Sequence, residues 1–183
     1  VIFEEVTTSC LEKITIQKTQ EIKRMKSWVE KLKQEKKYQV KQIDKAFADI
    51  PAGGKMLIAT PKIVDEYVRQ IPKGKTTDLN TMRKDLAIMY NADYTCPVTT
   101  GMYLRIVAEA ACEQMEQGKD VSIVTPFWRV IDEESKLADK IYYGPSFIKQ
   151  QRKREGLPAP SNKPSTSSLT AKQRVKKKVK GKK

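Results

Sequence analysis

Ile123-Val124-Thr125-Pro126-Phe127-Trp128-Arg129-Val130-Ile131 is the stretch on which the fold turns. A short apolar run meets a proline, two adjacent aromatics, one arginine and a second apolar pair. Proline fixes φ and has no backbone donor, so Pro126 ends a strand or starts a turn. Phe127 and Trp128 are then held at a bend. Two readings stand: both rings belong to the core, or they floor a pocket into which Arg129 reaches.

Upstream, the pattern is helical. Thr60-Pro61 places a capping hydroxyl before a proline at the first helical position, and Ile63, Val64, Tyr67 and Val68 form an apolar face behind it. Ile71-Pro72-Lys73-Gly74-Lys75 ends that helix. Thr77 or Asp78 then caps another, with Leu79, Met82 and Leu86 on its buried side. A third, broadly apolar helix starts at Cys96-Pro97 and runs to about Gln117, where Gly118 supplies the stop. Val121-Ser122-Ile123-Val124 reads as a short extended segment leading into the motif.

Further upstream, Ile16 to Lys37 is rich in Lys, Glu and Gln, with Ile22, Met25, Val29 and Leu32 at spacings of three and four. That predicts a charged helix with one narrow apolar stripe, which packs on the domain or on a protein partner. The turn-rich stretch Phe47 to Lys55 reads as a linker. Gly53-Gly54-Lys55 lacks the GxxxxGK[ST] spacing of a phosphate loop and is read as a plain turn. The expected organisation is an N-terminal extension and linker (1–55), a domain (56–157) and a disordered basic tail (158–183). The chain opens on Val1 and so reads as a fragment or a processed form.

Charge is concentrated at one end. The formal net charge of +14 includes twelve Lys or Arg against Glu155 alone in residues 151–183, while the preceding 150 residues are nearly balanced at +3. Pro158, Pro160, Pro164 and the serines among them form a coreless linker. Beyond it, Lys172, Arg174, Lys176, Lys177, Lys178 and Lys180 head a basic block without an acidic group. Such a block displaces counterions from a polyanion, so nucleic acid is the expected partner.

The absence of histidine removes Ser-His and Cys-His nucleophile pairs and imidazole metal ligands together. Cys10, Cys96 and Cys112 form neither a CxxC pair nor a Cys₄ set, which excludes a structural zinc on this pattern and points to a reducing compartment. Cys96, at a helix start, is the one thiol placed for activation; Cys112 sits on an apolar face. Asp132-Glu133-Glu134 reads as a solvated loop. No run of about 18 apolar residues exists to span a membrane.

Pro126-Phe127-Trp128-Arg129-Val130-Ile131 resembles the Pro-Cys-His-Arg-Val signature of the alkylguanine-DNA alkyltransferases, with Phe127 in the cysteine position and Trp128 in the histidine position. Two further segments are similar to that family's landmarks, in the same order. Val68 to Thr77 looks like its helix end at Pro-x-Gly before a Thr-rich turn, and Gly144 to Gly156 like its closing helix. The resemblance covers roughly residues 57–157. It implies an α+β, mostly helical fold with helix-turn-helix architecture, like the C-terminal domain of that family. It also implies a degenerate member, without acceptor cysteine, enzymatic activity, cofactor or metal. Alkyltransferase-like proteins, which bind alkylated DNA without repairing it, are the nearest functional expectation, in the cytoplasm, nucleoid or nucleus and in the context of DNA repair.

Within that frame Thr99, Thr100 and Tyr103, at the start of the third helix, are offered to a phosphate or a groove, with ordinary capping as the alternative. Placing Gly101 on the family's recognition-helix glycine sets Val98 where its gap-filling arginine stands. Phe127 and Trp128 are candidates to stack on a base, and Arg129 to orient them. The competing expectation is a structural or RNA-associated interaction protein that reuses the fold.

Overall fold

The computed structural model describes residues 26–160 and shows an α+β fold, mostly helical, around a small sheet. Helix α1 (Trp28–Lys33) leads into strand β1 (Gln39–Gln42), followed by β2 (Lys55–Ile58), α2 (Pro61–Gln70), α3 (Leu79–Met89), β3 (Tyr94–Thr95) and α4 (Pro97–Glu116). Two 3₁₀ turns, Phe127–Arg129 and Ala138–Lys140, precede the closing helix α5 (Gly144–Arg154).

The caps explain the boundaries. Thr60 Oγ1 accepts from the Ile63 amide at the start of α2, and Asp78 Oδ1 accepts from the Asn80 and Thr81 amides at the start of α3. Helix α4 begins on Pro97, whose missing N–H falls where no helical partner exists. Its end is set by Gly118, at φ 88°, in the left-handed region that a side chain resists.

The sheet has the order β1-β2-β3. Antiparallel pairing runs from Gln39 opposite Ile58 to Gln42 opposite Lys55, and β3 joins parallel through Met56–Tyr94 and Leu57–Thr95. A parallel pair needs a crossover, which α2 and α3 supply. Helix α4 packs against α1, α2 and α3. Leu57, Val64, Val68, Met82, Leu86, Leu104, Val107, Phe127 and Ile148 are fully or almost fully buried in one core. Each large apolar side chain so buried contributes about 1.5–3 kcal/mol.

Three expectations need correction. The stretch Phe47 to Lys55 is no linker. It closes the β1–β2 hairpin, with a bridge between Phe47 and Ile50 and with Ile50 buried, so the domain begins well before residue 56. Strand β1 escaped notice because all four of its residues are exposed, leaving no apolar alternation to read. Residues 121–124 form a turn rather than an extended segment, because Asp120 Oδ1 accepts from the Ser122 amide and the Asp120 carbonyl from the Ile123 amide.

The charged helix is also shorter than expected on the side described. It starts at a Ser27–Glu30 capping box and ends at Gln34, whose extended backbone turns the chain toward β1. Its expected part before residue 26 lies outside the described residues, as does the tail from residue 161. The described turns pack on α4. The Val29 amide donates to Glu113 Oε2 (3.0 Å), and Arg105 and Lys31 flank the Trp28 ring at 5.6 and 3.9 Å.

Phe127 is fully buried, so truncating it removes a large apolar contact and leaves a cavity. Urea denaturation of Phe127→Ala is expected to show a loss of about 3–5 kcal/mol; a loss under about 1 kcal/mol, the range of surface sites, would contradict this placement.

Candidate nucleic-acid interface

The motif turn is held by one arginine. Arg129 Nε and Nη2 donate to Glu155 Oε2 and Oε1 at 2.8 and 2.9 Å, and Nη1 donates to the Ile71 carbonyl at 2.6 Å. Trp128 Nε1 donates to the same Glu155 Oε1 at 2.9 Å, and the Thr77 amide donates to the Arg129 carbonyl. The planar guanidinium thus ties the end of α2 and the residue after α5 to the motif, and the Arg129 carbonyl ties in the turn before α3.

Arg152 makes a second tie. It donates to the carbonyls of Trp128 (2.9 Å) and Pro158 (2.8 Å) and is ion-paired with Glu133 at 3.2 Å. Glu133 is therefore a structural partner rather than a free solvated acid. Burial raises the cost of ionising Glu155, but the hydrogen bonds from Arg129 and Trp128 outweigh it and hold the carboxyl below its ordinary range.

Phe127 and Trp128 are core residues, which overturns the expectation that their rings stack on a base. Phe127 is fully buried and Trp128 is only 3% exposed. They meet edge to face at 5.4 Å, and both rings lie 6.2 Å from Phe147, which stacks on Tyr143. Arg129, saturated by Glu155 and Ile71, is a positioning residue of the fold.

Thr100 is corrected likewise. It is completely buried, and its Oγ1 donates to the Cys96 carbonyl at 2.6 Å, so no ligand can reach it. Thr99 is part-buried, but its Oγ1 is itself buried and has no hydrogen-bond partner among the described residues, so it is out of reach of a phosphate; Tyr103 is half-buried against the core. What α4 does present is apolar. Val98 and Met102, one turn apart, are 60% and 52% exposed, and Ile88 and Met89 stand exposed at the end of α3. Lys172, Arg174, Lys176, Lys177, Lys178 and Lys180 lie outside the described residues.

Both described cysteines are buried. Burial pushes the Cys112 thiol up to about 12, which leaves it protonated and inert at neutral pH. No group of three or more potential metal ligands occurs among the described residues, and no helix among them is long and apolar enough to cross a membrane. Sequence reasoning also missed Tyr38 and Tyr90, whose rings meet at 4.7 Å beside Lys36, Lys37 and Lys62. The adjacent Lys36-Lys37-Tyr38 was the available signal. Comparison with known proteins finds no matching family model, curated protein or solved structure.

Glu155→Gln keeps an acceptor for Trp128 but strands the Arg129 charge in a site only 14% exposed. The expected cost is about 3 kcal/mol at neutral pH. Because the Glu155 pKa is depressed in the folded state, its contribution is present above the ordinary value of 4.5 and is lost as pH falls through the folded value. Stability of the wild type measured from pH 7 to pH 2 should fall more steeply below about 4.5 than that of the variant. Parallel curves would contradict the clasp.

Proposed function

We propose that this protein binds DNA without catalysis, in the manner of the alkyltransferase-like proteins it resembles. The observation that carries this is the convergence on Arg129. The Pro-x-Gly turn after α2, the Pro-x-x-Arg-Val motif and the terminal Glu-Gly, separate landmarks of the resemblance, meet at that one residue, whose side chain bonds Ile71 and Glu155 and whose carbonyl bonds Thr77. On this reading α3 and α4 act as a helix-turn-helix pair. Their connection, Tyr90–Cys96, is lengthened by β3, which pairs with β2 and fixes the angle between the helices.

Helix α4 then presents Val98 where the family has an arginine, with Met102 exposed one turn further on. Apolar side chains on such a face suit insertion at a base step from the minor groove. The tail supplies sequence-independent affinity through its lysines and arginines. With Phe127 and Trp128 sealed in the core and Cys112 held protonated, acyl- or alkyl-transfer chemistry has no nucleophile at the motif.

A second reading rests on the same apolar side chains. Ile88, Met89, Val98 and Met102 also suit a protein partner, and the fold would then be an interaction module.

Fluorescence anisotropy of a duplex separates the two. Val98→Gln/Met102→Gln alters exposed positions and should leave stability within about 0.5 kcal/mol, yet weaken duplex binding about tenfold, or about 1.4 kcal/mol. Replacing the eight Lys and Arg of residues 172–183 by Gln should flatten the salt dependence by about 0.9 per phosphate released. Unchanged affinity in the Val98/Met102 variant would favour the interaction module.

A further inference from the structure

An open groove of about 640 Å³ lies between the approach to β1, the start of α2 and the residue after α3. Lys36, Lys37 and Lys62 line it together with Tyr38 and Tyr90, and Glu66 is its sole acidic residue. None of the three lysines is ion-paired among the described residues, so each keeps its charge uncompensated. The two tyrosines stand edge to face at 62°, and neither hydroxyl is hydrogen-bonded there. Tyr38 is half exposed, although an aromatic ring on a folded surface gains from cover.

Two features of the groove converge on the same kind of ligand. Three cations without an ion pair on one groove form a positive field suited to phosphate. An exposed aromatic face beside that field suits a planar ring attached to the phosphate. Inorganic phosphate would leave the tyrosines without a role, and a duplex would hide the faces of its bases. A single strand offers both groups at the required proximity.

We propose that this groove binds one nucleotide unit of single-stranded nucleic acid, its base stacked on Tyr38 and its phosphate held by Lys36, Lys37 and Lys62. Glu66 then faces the base or sugar and supplies an acceptor for an exocyclic amine or a hydroxyl. Burial, followed by the nearby Glu66 and Tyr38, raises the Tyr90 pKa, so its hydroxyl stays a neutral donor. The site uses none of the α4 residues and stands independently of duplex recognition there.

The test uses the full chain with an oligothymidylate carrying 5-bromouracil, photo-crosslinked and mapped by mass spectrometry. Adducts on Tyr38 or Tyr90 are expected. With the eight Lys and Arg of residues 172–183 replaced by Gln to remove the tail's contribution, Tyr38→Ala should weaken single-strand binding roughly 5- to 100-fold, and Lys36→Gln/Lys37→Gln should weaken it too, while both leave duplex binding unchanged. Adducts confined to other residues would overturn the proposal. So would unchanged single-strand affinity in both variants, or protection of Lys36 and Lys37 from acetylation by an acidic peptide and not by the oligonucleotide. A simultaneous loss of duplex binding in Tyr38→Ala would also overturn it, by placing both ligands on one surface.

Discussion

A guanidinium that is 14% exposed cannot be left unpaired, and most of the architecture around the motif answers that constraint. Arg129 donates to both oxygens of Glu155 and to the carbonyl of Ile71. Meeting those demands brings the end of α2, the motif turn and the end of α5 to one point. Trp128 shares the Glu155 carboxylate, so its indole N–H is satisfied while its ring joins Phe127 and Phe147 in the core. Arg152 then holds the Trp128 carbonyl from the next turn. The polar network and the aromatic cluster are thus two sides of the same turn, and each limits how the other can move.

That arrangement assigns the motif to structure. Where the resembled family has a thiol and an imidazole, this chain has two rings packed inward, and the polar residue that follows them is spent on the fold. The outward-facing features lie elsewhere: the exposed apolar start of α4 and the lysine–tyrosine groove beside β1.

Much of the helical frame was legible because its signals are local. Thr60-Pro61, Asp78 and Gly118 are cap chemistry, and they mark α2, α3 and the end of α4 where the structure has them. Apolar spacing on Val64, Val68, Met82 and Leu86 correctly named a buried face. Strand β1 was not legible, since Gln39, Val40, Lys41 and Gln42 are all exposed and owe their extended form to pairing with β2. The site was harder still. Sequence alone could not decide whether Phe127 and Trp128 faced in or out, because an aromatic pair after proline suits both. Nor could it bring Tyr38 to Tyr90, which lie fifty-two positions apart and meet only through the sheet and α2.

The most direct test of a non-catalytic DNA-binding scaffold is native mass spectrometry of the full chain with a duplex carrying one methylated guanine. A non-catalytic binder gives a protein–DNA complex from which the chain is recovered at its unmodified mass. A mass gain of one methyl group on Cys10, Cys96 or Cys112, or no complex at all, would contradict it.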